Sequence, residues 1–228
     1  MSLCALIVDD HGVLADGLAM ALQAEGLPAR VHVPTSAGGV MTAVAEQQPQ
    51  LVLLDLDLGL ERGGGVDLVG PLRALGPRVL VLTGSTDRLV HARCLEAGAA
   101  GVASKAEPFD RLLDAIRRAT RGESPMGRRR QEELLEELRR ARAARSERLA
   151  PFERLTPKEA SVLLALAEGR SAEAIAKASF VSLPPVRTQI RGILVKLGVG
   201  SQLAAVAMAI ERGWLDEVRA RSAAEAGS

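Results

Sequence analysis

The amino-acid sequence predicts an α/β domain followed by an all-α domain, and two observations support this division. In the first 122 residues, five short apolar runs alternate with five amphipathic helical patterns. Such alternation is typical of an open parallel sheet with helices on both faces. From Leu155 onward the pattern is purely helical. A chain of 228 residues has room for two such domains and a linker.

The first domain is predicted to contain five βα units. The strand-like runs lie at 3–8, 29–33, 50–55, 78–83 and 100–103, and the helical patterns lie near 12–25, 36–47, 65–75, 86–97 and 107–121. Five such units suit a flavodoxin-like sheet with strand order 2-1-3-4-5. The first and third strands are then neighbours at the point where the strand order reverses, so polar residues that follow them would share one cleft.

A short segment of turn-forming residues, Gly122 to Gly127, ends the α/β pattern. The charged segment 128–148 that follows predicts a linker helix, in which Glu136 lies four residues before Arg140 in the favourable orientation for an ion pair. The leucines of this segment also permit a short coiled coil, and too few heptads are present to decide between the two. We favour a plain, solvated helix.

Capping residues predict four short helices in the second domain. Thr156, Pro157 and Glu159 form a typical helix start, with a cap, a proline at the first helical position and an acid at the third. The predicted helices begin after Thr156, Ser171, Ser182 and Ser201 and end near Gly169, Ala178, Gly198 and Gly213. Four short helices with tight turns are typical of a helix-turn-helix domain.

Composition and charge restrict the function classes. Cys4 and Cys94 have no C-x-x-C spacing, so disulfide and zinc sites are disfavoured and a reducing cytosol fits best. No apolar run reaches the ~18 residues of a membrane span, and Met1 is followed almost at once by a strand pattern that leaves no room for a signal peptide. We therefore expect a cytoplasmic protein without membrane contact. The first 122 residues carry 14 acidic and 11 basic side chains, whereas those from Leu155 onward carry 7 and 9, so only the second domain is expected to meet a polyanion.

Polar residues follow four of the five apolar runs: Asp9 and Asp10 the first, Asp55 the third, Thr83 the fourth and Lys105 the fifth. The carboxyl ends of parallel strands open into the crevice where α/β sheets bind ligands. A carboxylate can attack phosphorus to form an aspartyl phosphate, and Mg²⁺ takes the oxygen ligands that the other carboxylates offer. The ammonium and the hydroxyl can bind phosphoryl oxygens. The sequence therefore predicts a magnesium-dependent phosphoryl site, with Asp10 and Asp55 as direct ligands and Asp9 acting through water.

These residues resemble the receiver domain of bacterial response regulators. The run Leu6-Ile7-Val8-Asp9-Asp10-His11 is similar to the opening motif of that family, and Asp55 in Leu-Leu-Asp-Leu-Asp matches its phosphoacceptor. Thr83 and Lys105 match its switch hydroxyl and its lysine. The resemblance implies that Asp55 is phosphorylated, and that Mg²⁺ is held by Asp9, Asp10, Asp55 and the backbone carbonyl of Asp57.

Three departures from the family pattern lie near this site. Gly59 stands where the family usually has proline, and the loop Glu61-Arg62-Gly63-Gly64-Gly65 beyond it is expected to be longer and floppy. Val102 stands where the family often has the Tyr or Phe of an aromatic switch. Coupling from the phosphoryl site would then run through Thr83 and the following loop into the helix from Thr86.

The helix predicted over 185–197 has one apolar stripe and one polar face. The stripe consists of Val186, Ile190, Ile193, Leu194 and Leu197, and the opposite face carries Arg187, Thr188, Arg191, Gly192 and Val195, flanked by Gln189 and Lys196. Arg can read guanine edges and Gln adenine edges in the major groove, and Gly192 is expected to let the backbone approach DNA closely. Phosphate contacts, which position a protein on DNA without specifying sequence, are expected from Lys177, Ser182 and Lys196.

The segment from Leu155 to about Leu215 resembles the LuxR-type helix-turn-helix of the NarL/FixJ response regulators. The motifs that carry the resemblance run from Leu155-Thr156-Pro157-Lys158-Glu159 through Val186-Arg187-Thr188-Gln189-Ile190 to Lys196-Leu197-Gly198. The departures are Ala174 for the usual Glu, Phe180 for the usual Gly, Pro184-Pro185 in place of polar residues, and Gln189 for the usual His. We expect a receiver domain at 1–122, a charged helical linker at 123–152, a DNA-binding domain at 153–216 and a disordered tail at 217–228.

Together the two resemblances imply a DNA-binding transcriptional response regulator rather than an enzyme. A sensor histidine kinase, or a small phosphodonor, would phosphorylate Asp55, and the chain would bind promoter DNA as a homodimer through the helix at 199–210. Two alternatives stay open: a phosphorylation-independent DNA binder whose receiver is a scaffold, and an Mg²⁺-dependent aspartyl phosphatase of the haloacid dehalogenase type. The segment Asp55-Leu56-Asp57 suits the phosphatase, but the paired acids of that family follow its lysine, whereas the Asp pair of this chain comes first.

Overall fold

The structure is a computed structural model that describes residues 5–59 and 64–226. It divides into two compact units, Met1–Arg140 and Ala141–Ser228. The predicted domain boundaries at residues 122 and 152 lie close to this division without coinciding with it, and they stay a prediction.

The first unit contains a five-stranded parallel sheet with helices on both faces. Its strands are β1 Ala5–Val8, β2 Ala29–His32, β3 Leu51–Asp55, β4 Arg78–Thr83 and β5 Gly101–Ser104. The helices between and after them are α1 Gly12–Ala24, α2 Ala37–Gln47, α3 Gly65–Ala74, α4 Arg88–Glu96 and α5 Phe109–Arg121. The strand order is β2-β1-β3-β4-β5, which confirms the predicted flavodoxin-like order.

Buried side chains of the sheet alternate between two aliphatic layers, because neighbouring residues of a strand point to opposite faces. In β1, Leu6 and Val8 lie in the layer that contains residues of α2, α3 and α4, and Ile7 lies in the layer that contains residues of α1 and α5. The residues of β3 and β4 alternate in the same way. Since both faces of the sheet are covered, the central strands are apolar throughout, and polar side chains stand out only at their ends.

The linker segment forms α6, Arg128–Glu153, which extends across the division between the two units. Its first half belongs to the first unit, where Leu134 and Leu138 are 1% and 6% exposed and lie in the same apolar cluster as buried residues of α4. The expectation of a solvated linker is therefore wrong for this half, because leucines four residues apart share one helix face and bury it. The predicted pair Glu136–Arg140 is confirmed at 3.0 Å on the exposed side of the helix.

Two polar contacts also hold the first half of α6 to the sheet and to α4. The side-chain amide of Gln131 donates to the carbonyl of Ala100 at 2.9 Å. The guanidinium of Arg88, the first residue of α4, donates to the carboxylate of Glu137 at 2.7 Å. Leu134 and Leu138, which would lie at the interface of a coiled coil, are thus buried in the core of the first unit. This favours the plain helix over the coiled coil.

The second unit consists of the rest of α6 and five helices: α7 Pro157–Ala167, α8 Ala172–Ala178, α9 Leu183–Leu197, α10 Gln202–Glu211 and α11 Trp214–Ala226. The first four of these match the predicted helices to within two residues at each end. Their core is aliphatic except for Phe152 and Trp214, whose rings stack with centroids 5.2 Å apart and an interplanar angle of 19°.

Three of the four predicted caps form, and the exception has a clear cause. Thr156 and Glu159 form a reciprocal capping box at the start of α7, and Ser171 and Ser201 each accept an N–H from the first turn of their helix. Ser182 forms no side-chain cap bond at the start of α9. A capping side chain accepts from the N–H groups of the second or third helical residue, and these are the prolines at positions 184 and 185, which have no N–H.

The tail that the sequence analysis expects to be disordered, 217–228, lies for most of its length in α11, which continues to Ala226. Trp214 and Leu215 are buried and anchor the start of this helix in the core. The carboxylate of Glu217 accepts a hydrogen bond from the guanidinium of Arg145. The remaining residues of the helix are rich in Ala, Arg and Glu, which have high helix propensity.

In the part of the chain that the structure describes, no single helix has the length and apolarity of a membrane span. Among the described residues, one pair of helices, α9 and α10, satisfies those two criteria when taken together, with a bend of 54° between them.

Candidate functional site

The polar residues singled out in the sequence converge at one edge of the sheet. Asp9 follows β1 directly, Asp55 is the last residue of β3, Thr83 is the last residue of β4, and Lys105 follows β5. The register of the parallel ladder aligns these strand ends, with Val8 opposite Leu54 and Asp55 opposite Leu82. The predicted cleft therefore exists at the carboxyl edge of β1 and β3, where the strand order reverses.

Two buried carboxylates in this cleft share one ammonium group. The Nζ atom of Lys105 lies 2.8 Å from Asp9 Oδ2 and 2.7 Å from Asp55 Oδ2, and both aspartates are 1% exposed. Burial by itself would lower the pKa of Lys105, but the hydrogen bonds and charges of Asp55 and Asp9 outweigh that effect and raise the pKa above its usual value. Lys105 is therefore a fixed positive charge at neutral pH.

Backbone N–H groups orient the other oxygens of the same two carboxylates. The N–H of His11 donates to Asp9 Oδ1 at 2.8 Å, and the N–H of Asp57 donates to Asp55 Oδ1 at 3.2 Å. Each aspartate thus bonds to the residue two positions later, as in an Asx turn. Asp10 and Asp57 are more exposed than Asp9 and Asp55, and they lie at the open side of the cleft. The predicted metal contact of the Asp57 carbonyl stays a prediction.

The imidazole of His11 lies among the carboxylates, and the sequence reasoning missed it as a site residue. Its Nδ1 atom is 2.8 Å from Asp10 Oδ1, 3.4 Å from Asp9 Oδ1 and 3.7 Å from Asp55 Oδ2. The available signal was the position of a histidine directly after an Asp pair. One ligand atom from each of these four residues lies within 4.8 Å of the others.

The donor set fits a divalent cation of the Mg²⁺ type. Among the described residues, Asp9 Oδ2 and Asp55 Oδ2 are buried and meet no hydrogen-bond donor apart from the Lys105 ammonium. One ammonium does not balance three carboxylates, so the cleft keeps an excess of negative charge. Carboxylate oxygens are the ligands that Mg²⁺ prefers. Asp9, Asp10 and Asp55 could therefore hold such an ion.

Thr83 connects the cleft with α4 through a short chain of hydrogen bonds. Its side chain is fully buried, and its Oγ1 atom accepts the N–H of Ser85 at 3.0 Å. The carbonyl of Ser85 accepts from Nε2 of His91, on α4, at 2.8 Å. The side chain of Asp87 caps the same helix. Val102 is buried in the aliphatic core, so the aromatic partner of the family pattern is absent and this chain of bonds is the polar link to α4.

The glycine-rich loop contributes a steric requirement next to Asp55. Residues 60–63 lie outside the described part of the chain, so the expected floppiness of this loop stays a prediction. The first residue of α3, Gly65, donates its N–H to the carbonyl of Leu56 at 3.2 Å. A Cβ atom at position 65 would lie 2.5 Å from the carbonyl oxygen of Asp55. Glycine at position 65 is therefore needed for α3 to pack against the end of β3.

The predicted recognition helix α9 has the expected two faces. Val186, Ile190, Ile193 and Leu197 are buried, and Leu194 is partly buried. The residues predicted to contact DNA are mostly on the surface: Lys177, Ser182, Arg187, Thr188 and Arg191 are exposed, and Gln189 and Lys196 are half-buried. Arg187 lies 3.7 Å from Glu173 of α8 in a pair that is open to solvent. The roles of these residues in DNA binding stay predictions.

Gly192 and Lys196 have internal contacts that the sequence did not reveal. Lys196 Nζ lies 2.5 Å from Glu159 Oε2, and the same carboxylate accepts the N–H of Thr156 at 2.7 Å. A Cβ at position 192 would lie 2.6 Å from Glu159 Oε1. The absent side chain of Gly192 therefore makes room for Glu159, and the expectation that it lets DNA approach stays a prediction. Burial tends to raise the pKa of Glu159, but the bonds from Lys196 and Thr156 lower it overall.

Phe180 lies in the turn between α8 and α9 in an unfavourable conformation. Its φ angle is +54°, in the left-handed region, and its side chain is 97% exposed. Left-handed backbone costs a non-glycine residue roughly 1–2 kcal/mol. This explains why glycine is usual at this position in the pattern that the chain resembles.

Two family descriptions match the chain. Residues 5–117 match the family described as response regulator receiver domain, and residues 153–209 match bacterial regulatory proteins of the luxR family. The response regulator protein VraR of Staphylococcus aureus is 30% identical over 213 residues, which are 92% of this chain and 98% of VraR. BvgA of Bordetella pertussis, named as a positive transcription regulator of virulence factors, is 32% identical over 198 residues, which are 86% of this chain and 91% of BvgA.

A solved structure has the same fold. RcsB of Salmonella enterica serovar Typhimurium, bound to the promoter P1flhDC in the presence of the phosphomimetic BeF₃⁻, aligns with a TM-score of 0.51 and 22% identity. The alignment covers 91% of this chain and 98% of that one.

Proposed function

This chain belongs to the bacterial two-component response regulators with a LuxR-type DNA-binding domain, and from that premise we propose that phosphorylation of Asp55 controls its binding to promoter DNA. Members of this family are DNA-binding transcription regulators, not enzymes, so the aspartyl phosphatase alternative is dropped. The observation that carries the proposal is the cleft in which Lys105 lies within 2.8 Å of both Asp9 and Asp55.

Asp55 is the proposed nucleophile because of its place in this cleft. One of its oxygens would form a bond to the phosphorus of a phosphohistidine on a sensor kinase, or of a small acyl phosphate, while the bond from phosphorus to the donor breaks. Lys105 would then pair with a phosphoryl oxygen in place of the Asp55 oxygen that it meets now. Mg²⁺, held by Asp9, Asp10 and Asp55, would neutralise the charge of the transferred group.

Thr83 would transmit the change to α4. Its hydroxyl now accepts the N–H of Ser85 at 3.0 Å. A phosphoryl oxygen on Asp55 would accept a charge-assisted hydrogen bond from the Thr83 hydroxyl. Rotation of the Thr83 side chain toward the phosphoryl group would move Oγ1 and weaken the bond that Oγ1 accepts from the N–H of Ser85. Because Ser85 also accepts from His91, the loop and the first turns of α4 would move together. Such a local change can bias a two-state element that controls a distant domain.

On DNA, α9 would enter the major groove. Arg187, Thr188, Gln189 and Arg191 would read base edges, and Lys177 and Ser182 would contact phosphates. Lys196 is the weakest candidate for a phosphate contact, because it would have to leave Glu159. Pairing of two copies is supported by α10, where the apolar side chains of Leu203 and Ile210 are 79% and 58% exposed. A homodimer would place two recognition helices about one helical turn apart.

A phosphorylation-independent DNA binder is the second candidate, and Val102 is the observation that favours it. Without an aromatic side chain at that position, the polar link through Thr83 and Ser85 must carry the signal alone. Under both candidate functions the protein binds promoter DNA in the cytoplasm. Under the first it also receives its phosphoryl group from a sensor histidine kinase.

The test is the enrichment of genomic fragments on the purified full-length protein, with and without Mg²⁺ and beryllofluoride, which mimics the phosphoryl group on Asp55. Asp55→Asn is the control. We expect enrichment that rises only when Mg²⁺ and the mimic are both present, and only in wild type. Equal enrichment in every condition would favour the second candidate. A lack of enrichment in all conditions would contradict the DNA-binding assignment of this chain.

A further inference from the structure

We propose that the first unit has an anion site at the amino edge of its sheet, which binds a small anion with two or more phosphate groups and holds the start of α6. The site is a cleft of about 590 Å³. It includes Arg78, where β4 begins, whereas Asp55 lies at the opposite edge, where β3 ends. The inference does not rest on phosphorylation of Asp55, and it names a ligand class that DNA binding does not require.

Arginines from four different elements line this cleft: Arg73 in the last turn of α3, Arg78 at the start of β4, Arg118 in the last turn of α5 and Arg128 at the start of α6. Among the described residues that line the cleft, Glu123 is the one carboxylate. It pairs with Arg121 at 2.8 Å and more loosely with Arg118 at 3.6 Å. The cleft therefore has an excess of positive charge, in the form of guanidinium groups that suit bidentate binding of phosphate.

Two glycines make room for two of these guanidinium groups. An ideal Cβ at Gly98 would lie 3.4 Å from Nε of Arg73, and one at Gly122 would lie 2.5 Å from an Nη atom of Arg78. Arg78 Nη1 also donates to the carbonyl of Ala119 at 3.0 Å. A guanidinium carries five N–H groups, so this bond positions the side chain and leaves other N–H groups to bind a ligand.

The start of α6 lacks the negative charge that usually stabilises a helix N-terminus. Such a terminus has free N–H groups and a partial positive charge. The first turn of α6 has no acidic residue, and the helix begins with the three arginines Arg128–Arg130. Ser124, which also lines the cleft, has a buried Oγ atom without a hydrogen-bond partner in the described part of the chain. A bound anion would offset the charge of the helix start and offer an acceptor to this hydroxyl.

The lining of the cleft determines the class of anion. The described side chains that line it are polar or small, with no large apolar group among them, so a ligand would be held by charge and hydrogen bonds. Four guanidinium groups offer more positive charge than one phosphate group can balance, whereas a diphosphate can contact arginines on two sides of the cleft. Because Arg128 belongs to α6 and the other three arginines belong to the sheet and its helices, one bound anion would tie the start of α6 to the rest of the first unit.

The experiment is calorimetry of the full-length protein with inorganic diphosphate, orthophosphate and ADP, in a buffer without Mg²⁺, phosphate or sulfate. Without Mg²⁺, the carboxylates around Asp55 repel anions and do not contribute to binding. The variants are Arg73→Gln and Arg128→Gln, both at exposed positions. Arg129→Gln is the matched control, because it removes the same charge from the same turn of α6 and Arg129 is not among the residues that line the cleft.

We expect diphosphate to bind wild type and Arg129→Gln equally well, and to bind Arg73→Gln and Arg128→Gln about tenfold more weakly, the effect of one lost hydrogen bond between charged groups. Diphosphate should also slow hydrogen exchange of the amides in the first turns of α6 in wild type. ADP carries the same diphosphate group, so tighter binding of ADP would assign the site to a nucleotide, and tighter binding of inorganic diphosphate would assign it to the free anion.

Three results would overturn the inference. They are an absence of diphosphate binding to wild type, equal losses of affinity in Arg128→Gln and Arg129→Gln, and orthophosphate binding as tight as that of diphosphate. None of them bears on the proposed control by Asp55, because uptake of beryllofluoride depends on Mg²⁺ and on the opposite edge of the sheet.

Discussion

The carboxylate of Glu159 in α7 occupies the space that a side chain at position 192 of α9 would fill, with only 2.6 Å between its Oε1 atom and an ideal Cβ at that position. The same carboxylate pairs with Lys196 one turn further along α9. The two helices are therefore joined by a part-buried polar contact, and a side chain at position 192 would force the Glu159 carboxylate to move.

Gly192→Ala is expected to destabilise the second unit by about 1–3 kcal/mol, the usual cost of overpacking. Replacing glycine by alanine inside a helix ordinarily stabilises a protein by ~1 kcal/mol. The expected change in the free energy of unfolding is therefore opposite in sign to the change that helix propensity alone predicts. The only Trp of the chain, Trp214, lies in this unit and reports its unfolding by fluorescence in urea. Gly200→Ala is the control, because no atom lies within 4 Å of a Cβ at that position. Equal stabilities of the two variants would contradict the role given to Gly192.

The lowered pKa of Glu159 predicts an acid-sensitive second unit. A carboxyl whose pKa is lower in the folded than in the unfolded state stabilises the fold above its ordinary value of 4.5, and this stability is lost as pH falls through the lower folded value. Glu159→Gln should cost about 1–2 kcal/mol at pH 7, since it removes a charge-assisted hydrogen bond. The difference from wild type should shrink below pH 4.5 when both are followed by Trp214 fluorescence. Glu211→Gln, at an exposed position of α10, should show no such convergence.

Loss of Lys105 is expected to destabilise the first unit in the absence of Mg²⁺. Lys105→Met would leave two buried carboxylates without their shared cation, at a cost of about 3–5 kcal/mol. Adding Asp9→Asn to Lys105→Met should recover part of this loss, because it removes one of the two uncompensated charges. Hydrogen exchange of the β3 and β4 amides measures the effect within this unit. Lys158→Met, at an exposed position of α7, is the control; a double variant less stable than Lys105→Met would contradict the electrostatic account.

Leu134→Ala is expected to destabilise the first unit by about 2–5 kcal/mol, as for other leucines that are fully buried. The residue belongs to the linker by sequence, so a solvated linker would show almost no change. Leu135→Ala, next to it on the partly buried side of α6, should cost less. Hydrogen exchange of the α4 amides is compared between the two variants. Faster exchange in Leu134→Ala than in Leu135→Ala indicates a buried first half of α6, and equal exchange indicates a solvated one.

Cys94 is expected to be inert toward thiol reagents in the folded protein. Burial raises the pKa of its thiol to about 11, so almost no thiolate is present at neutral pH. In a Cys4→Ser variant, a chromogenic disulfide reagent at pH 8 should release no colour until urea unfolds the first unit. Rapid release from the native variant would show that the core around α4 opens readily.

The sequence predicts this fold well because the deciding signals are local. Apolar runs locate the five strands, and Thr156, Ser171 and Ser201 locate helix starts through bonds that span three residues. The polar residues of the cleft could also be found, since the topology of a parallel sheet brings the ends of its strands together. Each of these inferences needs only the pattern and its spacing.

Contacts between elements distant in the chain could not be predicted in the same way. Glu159 and Lys196 are 37 residues apart, and no pattern in α9 indicates that the gap at position 192 faces a carboxylate. The burial of Leu134 depends on the surface of α4, and the helical tail depends on the anchoring of Trp214. The position of the His11 ring follows from side-chain geometry over the cleft, which spacing does not fix.

The burial of Leu134 and Leu138 has a practical consequence for dissecting the protein. The receiver family match ends at residue 117, but the first compact unit extends to Arg140. A fragment cut near residue 122 would expose the apolar surface that these leucines cover, and it would be prone to aggregate for reasons unrelated to signalling. Chimeras that exchange receivers among relatives should therefore be joined after Arg140, inside α6. The turn from Gly122 to Gly127, where the sequence pattern predicts a domain boundary, is a less suitable junction.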